Sequence, residues 1–461
     1  MGIPAMVVTR KGFTDVSGNA YASLGFPAES PSVYEFPDEM FVAGSDLTPI
    51  NENIDKIVYG LTKWEPKVKD TGVVAPPKIT VEGKDYAEAL TNMNLLFLRS
   101  MWGDGLPVLP ATEERVSWIL TGTDVPGDTV IGKIMPRGGI ATAEAIATSL
   151  AMAGGRPEYL PVMIALVEAL EDPLLITQEW QATTCAIYPM VVVNGPIAKE
   201  IRLNCGYNLL GPHPVYPANG AIGRALRFLL TTVGGAIPQV GTMSNFGGPR
   251  YINAVFAEDE AGLPPDWEPF STEYWGYPRG SNVVTVTPVQ TANNSSSGKT
   301  STEEIAAAQI HRWAKLVHVP HSHMLNEAIG PGYISVTLLI PRRGSNELSS
   351  LGWSKEKIKA YLWENGRIPW SDFEKMAWQE RGAPRLEKLG LPEGSPVSMV
   401  LRPENIAVIV AGGEQSGHHY FLHTGWGGSK AANAEIKLPP PAKWDALLKE
   451  AEDDLGPLPS E

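Results

Sequence analysis

One feature constrains this chain before any other: it opens on a strand-helix-strand pattern that cannot form a stable sheet by itself. Ile3 to Thr9 is a short β-rich run, Lys11 to Leu24 suits a helix stopped by Gly25, and Ser32 to Phe36 is a second strand closed by Pro37. That order is the repeating unit of parallel α/β sheets. Two parallel strands cannot cover both of their faces, so further strands must come from later in the chain or from another polypeptide. Residues 1–60 are therefore read as an incomplete βαβ segment. Residues 61–84 mix charge with several prolines and read as a linker.

The remainder is long enough for two more domains, since 461 residues correspond to roughly three domains at about 150 residues each. In a central segment, 85–320, Asp85 with Glu88 forms a capping box ahead of a helix carrying Tyr86, Leu90, Met93, Phe97 and Met101 on one face. That helix is expected to pack into a core. Thr112 caps a second helix, and Thr142 and Pro157 start a helical pair split by Gly154-Gly155. Tyr188 to Val193 reads as a buried strand ending in an Asn194-Gly195 turn, and Asn219 to Val233 as a helix. A smaller C-terminal segment, 321–437, shows strands at Tyr333 to Ile340, Val397 to Leu401 and Ile406 to Val410, and a helix capped by Ser354. Residues 438–461 look like a polar tail. The fold class is α/β, with several domains.

Composition removes several functions. There are 37 Lys and Arg against 51 Asp and Glu, a net charge of −14, and no basic run forms a patch for nucleic acid or an anionic membrane. No apolar stretch approaches the about 20 residues of a membrane span. The first residues lack the basic and apolar segments of a secretory signal, and Met6 stands where a myristoylation motif needs Ser or Thr. Cys185 and Cys205 are the only cysteines, neither in a zinc-site pair, so a reducing cytosol is expected.

Four groups of residues can carry chemistry. Glu179, Thr184 and Cys185 precede the strand at Tyr188, with Cys205 and His213 further on; this offers a thiolate nucleophile, a general base, and donors from Thr184 or Asn194 for developing negative charge. The opposing reading is that free cysteines are buried as small hydrophobes. Gly-rich turns beside helix starts bring Arg137, Asn219, Asn245 and Arg250, which with Asn194 suit a small anionic substrate, although ordinary caps and turns have the same composition. Histidines fall in two groups, His318, His321 and His323, and His418, His419 and His423, with Glu327 and Glu414 nearby. Converging, they suit a borderline metal, but loop histidines more often make hydrogen bonds, and no metal is assigned. TANNSSSGKT at 291–300 sits between a strand and a helix like a phosphate loop, but its first glycine position is Asn293, so it reads as a flexible polar loop.

The opening segment, GIPAMVVTRKGFTDVSGNAYASLGFPAESPSVYEFP, resembles the second half of the UGSC-type (seleno)protein domain, and the corresponding part of the selenoprotein B subunits of glycine and betaine reductases. The rest resembles the large protein associated with that domain, through MWGDGLPVLPATEERV, KIMPRGGIATAEAIA, GGRPEYLPVMIALVEAL, QATTCAIYPMVVVNGP, LGWSKEKIKAYLWENG and IAVIVAGG. In the small domain the reactive selenocysteine or cysteine lies upstream of Gly-Ile-Pro, which here begins at Gly2. Glu35-Phe36-Pro37-Asp38 replaces the usual Pro-His-Pro, removing a histidine.

The resemblance implies a separate, smaller protein subunit that supplies the missing strands and the cysteine or selenocysteine. The chain is then one subunit of a hetero-oligomeric, reductase-like thiol or selenol enzyme acting on a small polar or anionic organic substrate. Two alternatives stand beside it: a self-sufficient cysteine- or metal-dependent hydrolase or lyase, and a non-catalytic scaffold, which 13 Trp and 14 Tyr at interfaces would suit. No cofactor is assigned.

Overall fold

Val7–Arg10 (β1) and Val33–Phe36 (β2) pair in parallel, with Val7 opposite Val33, and among the described residues neither pairs with a third strand. This computed structural model describes residues 5–458 except 11, 24–26, 28, 38–39, 41–43, 66–77, 248–253, 297, 319–331, 415–416 and 425–429. The helix Thr14–Ser23 connects the two strands. A helix at Ile54–Thr62, not foreseen from the sequence, packs beside β2, with Trp64 Nε1 donating to Ser30 O at 2.6 Å. Ile54, Val58 and Leu61, spaced along one face of that helix, are exposed.

The helix Tyr86–Ser100 is capped by Asp85, which accepts from Glu88 N, while Glu88 accepts from Lys84 N rather than from the cap itself. Only part of its apolar face is covered: Met93 is buried with Val108 and Phe228, whereas Tyr86 and Met101 are exposed. Thr112 and Thr142 cap the helices Glu113–Leu120 and Ala143–Met152, and Pro157 opens the turn into Leu160–Leu170. Thr142 Oγ1 accepts from Ala145 N at 3.1 Å, so Thr142→Ala should destabilise by about 1 kcal/mol, read from a denaturant midpoint. A short hairpin, Val130–Ile134 (β3) and Gly139–Thr142 (β4), leads directly into Ala143–Met152.

One seven-stranded mixed sheet then runs through both the 85–320 and the 321–437 segments. Its strands are Tyr188–Asn194 (β5), Ala254–Ala257 (β6), Val283–Ser296 (β7), Val336–Ile340 (β8), Ile406–Val410 (β9), His418–Thr424 (β10) and Ala432–Glu435 (β11). The order is β6-β5-β7-β10-β8-β9, with β11 continuing beside β7 after β10. The first three strands and β8, β9 and β10 share one pattern: the leading strand pairs in parallel with the second and antiparallel with the third. The sheet curls, because Asp259 N beyond β6 donates to Val410 O of β9 at 2.8 Å, joining the two edges.

The uninterrupted apolar strands are buried on both faces. Met190, Val192, Phe256, Leu339, Ile409 and Leu422 meet on the inner face. Val191, Val193 and Val284 pack outward on the helices Leu160–Leu170 and Ala218–Phe228, while Leu338, Val408 and Phe421 pack on Glu303–Val317 and Lys355–Asn365.

Three expectations need correction. Residues 291–296 are not a loop: β10 pairs with them, His418 opposite Ser296, and extends β7, overriding their polar composition. Val397 to Leu401 forms no strand; only Val397 bridges, to Ile368. Residues 438–461 are not simply a tail, for Pro441–Leu455 is a helix that buries Trp444 and Leu447 in the core of the first half. No helix among the described residues is long and apolar enough to cross a membrane.

Candidate functional site

The helix Ala218–Phe228 ends in a π-helical turn, Leu229–Val233, and its polar side faces the Gly103–Pro107 turn. Arg224 grips Asp104 with both arms of its guanidinium, Nε to Oδ2 at 2.8 Å and Nη2 to Oδ1 at 3.0 Å, and Nη2 also donates to Pro107 O at 2.9 Å. Gly105, at φ +89°, lets the backbone turn there. One helical turn on, Arg227 is only 8% exposed, and its one described hydrogen bond is Nη2 to Ala236 O at 3.3 Å. Burial pushes its pKa down to about 10, partly opposed by Asp104.

Beside these groups lies a cavity of about 420 Å³. Phe97, Met101, Leu106, Val108 and Ile237 give it apolar walls, and Arg227, Thr231, Thr242 and Ser244 add polar atoms. Thr231 Oγ1 donates back to Arg227 O at 2.7 Å, and Ser244 Oγ donates to Cys185 O at 2.8 Å while accepting from Gly247 N. Nearby, Arg137 N donates to Gly234 O at 2.9 Å, and Gly235, at φ +72°, is required because a Cβ would run into the Arg137 side chain. Arg137 Nε is buried without an acceptor among the described residues. A second, larger cleft of about 970 Å³ separates the N-terminal unit, through Tyr34, Lys56, Tyr59 and Trp64, from Gln239 and Val240. The segment 237–242 thus contributes to both spaces.

The anticipated residues divide. Thr184 O accepts from Asn245 N at 3.0 Å, which brings Cys185, Thr184 and Asn245 to the segment lining the smaller cavity. Cys185 and Cys205 are half-buried against the first core and are not joined in a disulfide. Glu179 is exposed on the helix Thr177–Ala182, and His213 Nδ1 accepts from the amides of Val215 and Tyr216 in its own loop. Asn219 serves as a buried tie: its Oδ1 accepts from Asn204 N at 2.6 Å and its Nδ2 donates to Val255 O at 2.7 Å. Arg250 lies outside the described residues, and so do His321, His323 and Glu327.

Asn194 belongs to a separate charged cluster at the carboxyl ends of the parallel strands. Its Nδ2 donates to Glu258 at 2.7 Å and Glu260 at 2.8 Å. Burial raises the Glu258 carboxyl above its ordinary value, against the pull of Lys355, Phe270 N and Asn194. Lys355, 2% exposed, donates to Glu268 O at 2.6 Å and lies 3.1 Å from Glu273 and 3.7 Å from Glu258. Burial also works against the Glu273 carboxylate, but Lys355 and Lys359 prevail and hold it below its ordinary value. Arg342 binds Asp259 through two hydrogen bonds, at 2.7 and 2.8 Å.

Of the clustered histidines, His418 is exposed, whereas His318, His419 and His423 are buried with separate partners. His318 donates from Nε2 to Leu362 O at 3.1 Å and accepts at Nδ1 from Met399 N at 3.1 Å, while His419 stacks on Trp313 and meets Gln309. His423 meets Asn293. Among the described residues no group of three His, Cys, Asp or Glu could hold a metal.

Sequence reasoning missed the pairing of Asp104 with Arg224 and the burial of Arg227; the signal was a helix with two arginines one turn apart on an otherwise apolar stretch. The fold and cavity define a class, an α/β protein with an arginine-lined cavity. No protein-family model matches the chain, and no curated protein does.

Proposed function

We propose that this chain is the substrate-holding subunit of a two-chain enzyme of the thiol or selenol type, reductase-like, acting on a small polar or anionic organic compound. A smaller companion subunit supplies the reactive cysteine or selenocysteine and the strands that extend β1 and β2. The observation that carries this reading is the open parallel pair, flanked by the exposed Ile54, Val58 and Leu61 of the adjoining helix. The segment 237–242 supports it too, since it adjoins both the N-terminal unit and the Arg227 cavity. The family-like stretches MWGDGLPV, MPRGG and TTC all border that cavity or its lining turns.

Val7 N–H donates to Ser32 O, so the neighbouring Val8 N–H points to the open side of β1. Val8→Pro removes that outward donor and leaves the β1–β2 pairing intact. Native mass spectrometry of the purified protein should reveal a complex with a smaller thiol- or selenol-bearing chain, lost in Val8→Pro while the melting temperature is unchanged. Turnover by the chain alone would sink the two-chain reading. If that turnover vanished in Cys185→Ser, it would favour the self-sufficient hydrolase or lyase, because Cys185 adjoins Ser244 of the cavity wall.

A further inference from the structure

From the Arg227 cavity we infer that the ligand class is a small monocarboxylate with a short apolar stem, its carboxylate gripped by the Arg227 guanidinium and its stem lying against Phe97, Met101, Val108 and Ile237. This rests on reading the cavity as the substrate site. A guanidinium is always charged and carries five N–H donors in a planar fork. Arg227 spends one of them on Ala236 O, at the long end of hydrogen-bond distance, and is more than nine-tenths buried. Asp104, whose carboxylate acts on it electrostatically, is held in two-point contact by Arg224. A buried cation in that position is stabilised by an acceptor that brings its own negative charge.

The other polar wall groups offer no comparable demand. The Thr231 hydroxyl donates to Arg227 O, and Ser244 Oγ both donates and accepts within the protein. The spare capacity of the wall is therefore a donor fork, which matches the two coplanar oxygens of a carboxylate. Charge count disfavours a dianion: among the described residues one cation without a carboxylate partner, Arg227, faces the cavity, Asp104 lies in the same wall, and the protein carries a net −14. The apolar walls and the volume of about 420 Å³ favour a ligand with a hydrocarbon part over a bare ion.

The test is a calorimetric titration of the full chain with butyrate, its isosteric amide butyramide, and inorganic phosphate. Saturable butyrate binding is expected, about 30-fold tighter than butyramide, because the amide loses the charge-assisted pair. Arg227→Met should abolish butyrate binding, and Arg227→Lys, which keeps the charge but not the fork, should retain a weakened fraction. If Arg227→Met does not fold, the wild-type comparison of butyrate with butyramide decides. Absence of saturable butyrate binding, equal binding of the amide, or phosphate binding tighter than butyrate each overturns the assignment. Complex formation is read separately by native mass spectrometry. Loss of the carboxylate result with the complex intact removes only this inference, and butyrate binding without any companion removes only the two-chain reading.

Discussion

Acidification from pH 7 to pH 5 is expected to cost the fold about 2 kcal/mol for each of two buried histidines, His318 and His419. Burial pushes both pKa values down from an ordinary 6.5 to about 3. At pH 7 both imidazoles are neutral in the folded chain and mostly neutral in the unfolded one. At pH 5 the unfolded chain binds a proton at each imidazole and the folded chain does not, so stability present above pH 6.5 is lost as the pH falls toward 3. For His318 the geometry gives a second reason. Its Nδ1 already accepts from Met399 N, and a proton there would set two N–H groups head to head. Arg385, Lys315 and Arg367 add unfavourable charge around His318, and His418 does so beside His419. Glu258 works in the opposite sense, because a carboxyl held above its ordinary value takes up its proton earlier in the folded state. The clean measurement is therefore a difference. Urea midpoints of wild type and His419→Gln, taken from pH 7 to pH 5, should converge by about 2 kcal/mol, because the wild type loses the contributions of both histidines and the variant only that of His318. Parallel curves would refute the assignment.

The second large effect lies at the carboxyl ends of the strands. Lys355→Met should lower stability by about 3–5 kcal/mol, the cost of leaving buried carboxylates without their cation. Glu258 and Glu273 face Lys355 from different elements, and Lys359 alone remains for Glu273. Adding Glu258→Gln to Lys355→Met should recover part of the loss, because the double variant no longer holds the orphaned charge. A double variant no more stable than Lys355→Met would show that the two side chains act independently.

What could be read in the sequence follows from the range of the interactions. The caps at Asp85, Thr112, Thr142 and Ser354 each accept from an amide three residues on, so a few neighbouring letters suffice to see them. The strands β5 and β9 are legible because burial on both faces leaves continuous apolar runs. The polar second half of β7 is not, since its strand state depends on β10, more than a hundred residues away. The candidate site shows the same division. Arg137, beside Gly138-Gly139, could be suspected of meeting an anion, but nothing local distinguishes Asn219, whose amide is spent inside the protein, from a residue that greets a ligand. Nor does the sequence tell that Arg224 takes Asp104 and leaves Arg227 to the cavity.

The helix Pro441–Leu455 has a consequence for biosynthesis. Its Trp444 and Leu447 lie against the core built by residues 116–286, Trp444 Nε1 reaches Glu200 at 2.9 Å, and Trp118 Nε1 reaches Glu450 at 2.7 Å. On the ribosome the early half is made first and then waits, its groove bare, while some 150 further residues are translated. A nascent chain interrupted near residue 440 would expose that groove to chaperones and to neighbouring copies, so this late-made helix is the element that covers the first half.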